Sequence, residues 1–319
     1  MYGNEFRFEA HMDFRQLRYF LEIAEQGSLT RAAERLHVAQ PALSLHVKNM
    51  EEQLGTKLLT RGRSGVRPTE AGDLLMRRAR GILDDLARTE DDIRNLDSDP
   101  AGIVRLGFPG TISAMVSLPL ILAARERYPR ITLNITEAMS GFVGEWLSEG
   151  KVDLAVLYSR SGDPHILSDL LLEEELVVLW PGGSAPPKTL DLAALDGEPM
   201  VLPSGAHGLR VLIDRTCREL GFTPEIAMEI DSFNNIKRLV AAGFGPSILP
   251  LYAVSEEVAS GALTVSHIAA PGLWRGAHLM SRTGRPVPRA QGAVRDLLKE
   301  VIIGLRDTGE WAGARVPAG

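Results

Sequence analysis

The stretch MDFRQLRYFLEIAEQGSLTRAAERLHVAQPALSLHVKNMEEQLGTKLLTRGRSGVRPTEAG runs from Met12 to Gly72. Leu17, Phe20, Leu21 and Ala24 recur at helical spacing and give one apolar face. Gly27 ends that helix, and Ser28 is a good N-cap for the next. Ala32, Ala33 and Leu36 form the buried face of the second helix, where small side chains permit close packing. His37-Val38-Ala39 makes the turn. Gln40-Pro41 opens a third helix, because proline suits a first helical turn, and Leu43, Val47, Met50 and Leu54 line its inner face. Two short helices joined by a tight turn form a helix-turn-helix, a geometry that lays the second helix in the DNA major groove. Gln40, Pro41, Ser44, Leu45 and Lys48 fall on or near the outer face. Glutamine and serine can read base edges, and Leu45 and Pro41 can meet thymine methyls. Ser28 and Arg31, at the start of the preceding helix, join this set. Arg31 and Lys48 suit phosphate contacts, which fix register rather than sequence. Arg61, Arg63 and Arg67, around Gly62 and Gly65, read as a basic wing over the DNA backbone or minor groove.

The chain has 319 residues, enough for two or three domains. Its 45% hydrophobic and 24% charged composition is that of a soluble globular protein. No apolar run is long enough for a membrane span. Residues 1–11, MYGNEFRFEAH, lack an apolar core of the signal-peptide kind. They read as a disordered extension, or as an early start ahead of Met12. The single Cys217 excludes an internal disulfide framework and any multi-cysteine metal site, and the cytoplasm is the expected compartment. Net charge is −6, yet residues 12–72 hold nine Lys/Arg against seven Asp/Glu. The acidic excess therefore lies outside the helix-turn-helix, and local basic patches, not net charge, contact phosphates. Nothing indicates an enzyme: there is no metal cluster, nucleophile elbow, dinucleotide fingerprint or ordered Ser/His/Asp set, and His165, His207 and His267 are scattered.

Residues 69–98 read as one long helix. Leu75, Ala79, Ile82, Leu86, Thr89, Ile93 and Leu96 alternate by four and three, a heptad seam that favours pairing between chains over packing on the chain's own domain. A symmetric dimer would match a partly palindromic operator. The segment from Asp97 to Gly102, rich in turn formers, breaks the helix.

Strand and helix patterns alternate from Ile103 onward, which implies an α/β sheet with crossovers. This α/β domain is expected over residues 102–306. One lobe takes about 102–173 and 272–306, the other about 174–271, and 307–319 is left as a tail. In open α/β sheets ligands bind beyond the strand carboxyl ends, near helix N-termini. Three such loops stand out: Pro109 to Ser113, Met139 to Gly141 and Pro203 to Gly208. They offer hydroxyls, backbone N–H groups and one imidazole, a set suited to a carboxylate. Thr111 and Ser140 can also be read as helix caps alone.

The alanine-rich second helix, the Gln-Pro opening, the Leu-Leu-Thr-Arg strand, the glycine-containing wing and the Thr69-Glu-Ala-Gly72 helix start together resemble the LysR-type transcriptional regulators. The resemblance continues through the chain. It implies an α/β fold with an N-terminal winged helix-turn-helix, a dimerising linker helix and a two-lobed effector domain like periplasmic binding proteins. It implies tetramers, built as dimers of dimers, that bend double-stranded promoter DNA and alter access of RNA polymerase. It implies a small coinducer, expected to be carboxylate-like, and no cofactor. By motif position Thr111, Ser113, Ser140, Ser204 and His207 fall on cleft-lining loops, and Phe233 and Ile248 on segments approaching the cleft. Two departures stand out. Ala39 replaces a frequent Ser or Thr, so a capping hydroxyl worth about 1 kcal/mol is missing, and Leu45 replaces a frequent polar or basic residue. The stretch from Glu137 to Leu147 is similar to the branch containing nitrogen assimilation control proteins. A ligand-independent regulator controlled by its abundance, and a solute-binding protein, remain the alternatives.

Overall fold

The computed structural model describes residues 12–62, 65–94, 99–284 and 286–317. The expected extension at 1–11, Arg63 of the wing and Leu96 of the seam lie outside these. The chain divides into two compact units, residues 1–96 and 97–319.

In the first unit α1 (Phe14–Gln26), α2 (Leu29–Leu36) and α3 (Gln40–Leu54) are followed by β1 (Leu59–Gly62), β2 (Gly65–Pro68) and α4 (Glu70–Arg94). Local chemistry sets each boundary. Asp13 and Gln16 form a reciprocal capping box at the start of α1, and Gly27 ends it at φ 59°. Ser28 Oγ accepts from Arg31 N at 3.4 Å to start α2. His37 closes that helix in the left-handed region at φ 55°. Ala39 makes no side-chain cap at α3, as its missing hydroxyl requires. Phe20, Ile23, Ala32, Ala33, Leu43, Val47 and Met50 fill the core. Leu54 departs from the expected inner face. It is 46% exposed, because α3 outruns the core by its last turn.

β1 and β2 form a two-stranded antiparallel wing. It is tied back by Val66 N donating to Gly27 O at 2.9 Å. Glu51 anchors its base: Oε1 accepts from Leu58 N and Leu59 N at 3.0 and 3.2 Å, and Oε2 from Lys57 Nζ at 2.6 Å. Burial pushes the Glu51 carboxyl up, but these bonds outweigh it and hold the group below the ordinary carboxylate value.

Thr69 Oγ1 accepts from Gly72 N at 3.1 Å at the start of α4. A Cβ at Gly72 would stand 2.1 Å from the Leu58 carbonyl oxygen, which is backbone and cannot swing aside. Gly72→Ala should therefore force the wing from α4. We expect a loss of about 1–3 kcal/mol with weakened operator binding, checked by urea unfolding followed by circular dichroism and by DNA titration. Further along α4 the heptad positions divide. Leu75 and Ala79 pack with Leu17 and Leu21 of α1 inside the unit, with Ala79 fully buried. Ile82 and Ile93 are 46% and 68% exposed.

The second unit contains, in order, β3 (Gly102–Phe108), α5 (Gly110–Arg127), β4 (Ile131–Glu137), α6 (Ser140–Glu149), β5 (Leu154–Leu157), β6 (Ile166–Pro181) and β7 (Thr189–Leu190). It continues with β8 (Pro199–Leu202), α7 (Gly208–Glu219), β9 (Glu225–Glu229), α8 (Phe233–Ala241), β10 (Ser247–Pro250), α9 (Ser255–Ala259) and β11 (Leu263–Ile268). β12 (Leu273–Arg282), α10 (Arg289–Asp307) and β13 (Ala314–Arg315) complete it. The main sheet runs β4-β3-β5-β12-β6-β11-β7, with β10 and β13 also paired to β6. β3 pairs parallel with β4 and β5, as βαβ crossovers demand.

Two cores lie in this unit. One gathers β3, α5, β5, the first half of β6 and α10 around Phe108, Leu154 and Val294. The other gathers the second half of β6, β8, α7, α8 and β10 around Val178, Met200 and Ile213. Antiparallel β6 and β12 cross between them, and the residues at the crossing are register partners, Glu174 and Arg275. The sequence pattern shows a strand only over 176–179, but β6 has 16 residues. The segment read as a tail also differs from expectation. Trp311 is 1% exposed and belongs to the first core, and β13 pairs with Glu173 and Glu174 of β6.

Candidate functional site

A cavity of about 600 Å³ opens between the two cores of the second unit. Four helix N-termini reach its wall: Gly110 and Thr111 of α5, Ser140 of α6, Gly208 and Leu209 of α7, and Phe233 of α8. Backbone N–H groups at such ends are left without intrahelical partners and carry partial positive charge. α7 and α8 cap themselves. His207 Nδ1 accepts from Leu209 N at 3.1 Å, and Ser232 Oγ from Asn235 N at 3.4 Å. α5 and α6 begin after Pro109 and Met139 and have no side-chain cap. Their first N–H groups are therefore the ones left to an incoming acceptor.

Four of the sequence-predicted residues, Thr111, Ser140, His207 and Phe233, meet at this cavity. Thr111 does not cap its helix; its hydroxyl lies 3.0 Å from Tyr158 Oη. The His207 ring stands 5.6 Å from the Phe233 ring. Burial, reinforced by Arg275, pushes His207 below its ordinary value, so the ring is neutral at pH 7, as its accepting Nδ1 must be. Ser204 lies one step behind the wall. Its N–H and hydroxyl donate to Asp231 at 2.9 and 3.1 Å, and these bonds hold that carboxyl below the ordinary carboxylate value. Ser113 and Ile248 are not part of the wall. Ser113 bonds Ser117 along α5 at 3.0 Å. Ile248 is fully buried in the second core, because all four residues of β10 are enclosed there.

The innermost wall uses residues that sequence reasoning did not single out: Tyr158, Tyr252 and Arg275. The Arg275 side chain is 3% exposed. Its guanidinium lies 3.5 Å above the Tyr158 ring and its Nε donates to Glu174. Nη2 of Arg275 is buried and has no hydrogen-bond partner. Glu174 Oε2 accepts from Trp311 Nε1 at 3.1 Å and from Tyr158 Oη at 3.5 Å. Burial raises the Glu174 carboxyl while these donors pull it back, and burial pushes Tyr158 and Tyr252 up, so both phenols are neutral. An arginine amid the apolar residues of β12 is the signal that sequence offers: a cation in a core strand requires a partner.

On the first unit, α3 presents exposed Pro41, Leu45 and Lys48, with Gln40 and Ser44 half-buried beside them. Leu45 is 58% exposed. Arg61 Nη2 donates to Ser44 Oγ at 3.0 Å, joining the wing to α3. Arg31 Nη2 donates to Gln26 O at 2.7 Å, and Lys48 faces Glu52 at 3.5 Å. Arg67 is exposed on β2.

Comparison with known proteins covers both units. Residues 14–73 match the bacterial regulatory helix-turn-helix protein, lysR family, and residues 97–302 match the LysR substrate binding domain. The chain is 33% identical over 293 residues to the nitrogen assimilation regulatory protein nac of Escherichia coli (strain K12), covering 91% of this chain and 95% of that one. A full-length OxyR variant from Pseudomonas aeruginosa shares the fold, with a TM-score of 0.74 at 24% identity over 97% of this chain and 99% of that one. Full-length CbnR complexed with its target DNA aligns at a TM-score of 0.53 and 25% identity, covering 91% and 99% of the two chains. With both halves matched in the order of the family, the chain belongs to the LysR family of DNA-binding transcriptional regulators.

Proposed function

We propose that this regulator binds a small carboxylate-bearing metabolite in the cavity between its lobes, and that binding shifts an existing equilibrium between assembly shapes on promoter DNA. The observation that carries this reading is Arg275: a buried guanidinium with Nη2 unpartnered, on a wall shared with the uncapped N-termini of α5 and α6. A carboxylate there completes the guanidinium and meets helix ends of favourable sign. Thr111, Ser140, His207 and Phe233 would shape the pocket, with Ser204 acting through Asp231.

DNA is read by α3 and flanked by the wing. Gln40, Pro41, Ser44 and Leu45 face base edges, while Ser28, Arg31, Lys48, Arg61, Arg63 and Arg67 serve the backbone. The assembly is a dimer, and a tetramer of two dimers, paired through the part of α4 beyond Ala79. Exposed Ile82 and Ile93 support this, and Leu86 lies on the same seam. The protein acts in the cytoplasm and alters RNA polymerase access; no helix of the described residues is long and apolar enough to cross a membrane.

Footprinting on its own upstream intergenic DNA, with and without small carboxylates, tests the reading. A protected region that shortens, or loses a hypersensitive bend, with one compound is the expected result. Protection indifferent to every compound would leave a ligand-independent regulator controlled by abundance. Gln40→Ala should relax base preference at one operator position and cost about 1–3 kcal/mol. Lys48→Ala should weaken all sequences alike and reduce the salt slope by about one unit. DNA titration across salt concentrations and mismatched operators checks both.

A further inference from the structure

The cavity is bipolar. Its inner wall carries Arg275, whose side chain is 3% exposed and whose Nη2 has no partner. The outer wall carries two exposed carboxylates, one from each lobe: Glu137 at the end of β4 and Asp231 before α8. Glu137 stands over the start of α5, where a Cβ on Gly110 would lie 2.8 Å from its Oε1. Asp231 is kept ionised by the two Ser204 bonds already described. Arg275 is already matched by Glu174 behind it. The formal charges on and behind the wall are therefore one guanidinium against three carboxylates, and His207 adds none at pH 7. A simple anion would be drawn to Nη2 but repelled at the outer wall. A simple cation would be drawn to the outer wall and leave Nη2 unsatisfied. Only a molecule carrying both charges answers both ends.

We propose that the effector is a small zwitterion of the amino-acid class, its carboxylate on Arg275 and its ammonium facing Glu137 and Asp231. This rests on the carboxylate reading above and narrows it. Phe233 and Met139 on the same wall would meet an apolar side chain. Because the two carboxylates come from different lobes, an ammonium between them favours approach of the lobes, which ties recognition of the charge to the shape change.

The test is calorimetric titration of the full-length protein with each of the common amino acids and with its matched acid lacking the amino group, for example leucine against 4-methylpentanoate and phenylalanine against 3-phenylpropanoate. We expect at least one amino acid to bind ten-fold or more tightly than its matched acid. We expect that preference to collapse in Glu137→Gln/Asp231→Asn, while the affinity for the matched acid is kept or improved. An unchanged melting temperature of the ligand-free variant controls for folding. Matched acids binding as tightly as the amino acids would overturn the zwitterion and leave the carboxylate reading standing. Binding by neither set would overturn both. A preference that survives in the double variant would overturn the assignment to Glu137 and Asp231.

Discussion

Glu174→Ala is expected to cost about 3–5 kcal/mol of folding free energy, the range found when one partner of a buried ion pair is removed. Glu174 is fully buried and Arg275 nearly so. Alanine would leave the guanidinium uncompensated, and would strip acceptors from Trp311 Nε1 and Tyr158 Oη as well. The melting temperature should fall by roughly 6–20 °C for a unit of this size. Glu174→Met combined with Arg275→Met should recover most of the loss, because apolar replacements of similar volume avoid the desolvation that the ion pair must offset. That double variant should nonetheless lose effector binding, since it removes the cation of the inner wall. Thermal and urea unfolding of the wild type, Glu174→Met, Arg275→Met and the double variant forms the cycle. A single variant losing under about 1 kcal/mol would mean that Arg275 finds water or another partner, and the cavity chemistry would need redrawing.

Trp311→Ala should cost a similar amount, about 3–5 kcal/mol. The indole fills the first core, meets the Tyr252 ring edge-on at 5.5 Å, and donates to Glu174. Trp311→Phe separates these contributions. It keeps a ring but drops the donor, so about 1.5–3 kcal/mol is expected, the range for hydrogen bonds to a charged group. Ending the chain after Arg306 should be at least as damaging as Trp311→Ala, because it also removes β13 from the edge of β6. Soluble yield and the unfolding midpoint report both. A truncated chain as stable as the full one would show that the last residues do not belong to the fold.

The C-terminal segment hides its place in the fold while the N-terminal unit displays its own, and the difference is the range of the signals. The end of α1 and the starts of α2 and α3 are written in adjacent residues: Gly27 with Ser28, and Gln40 with Pro41. The heptad in α4 is equally visible, but its period does not say whose surface it meets. Leu75 and Ala79 are absorbed by Leu17 and Leu21 of the same unit. In the second unit the alternation of strands and helices carries the two-lobed α/β architecture. Three consecutive acids, Glu173, Glu174 and Glu175, hide the middle of β6, because such a run reads as solvated chain. Each acid is answered from far along the sequence: Glu173 by Arg315 at 2.9 Å, Glu174 by Arg275, and Glu175 by His267 at 2.7 Å. Helix N-termini are local features, and they suffice to place Thr111, Ser140 and His207 at the cavity wall. The cation of that wall lies on β12, far along the chain from the starts of α5 and α6 that it completes, and its one local mark is a charge set among apolar residues.

The two strands that cross between the lobes have a consequence for how the molecule comes apart. β6 and β12 share one ladder from Ile166 with Arg282 to Leu176 with Leu273. Leu172 and Ala277 sit in one core, and Leu176 and Leu273 in the other. Neither lobe can melt while the other stays intact without tearing a ladder midway, at the point where Glu174 and Arg275 are paired. The lobes therefore form one cooperative unit rather than two beads, and the amides of that ladder should be among the last to exchange their hydrogens with solvent. A molecule bound between the lobes would then protect both at once, so hydrogen exchange measured far from the cavity would still register its occupancy.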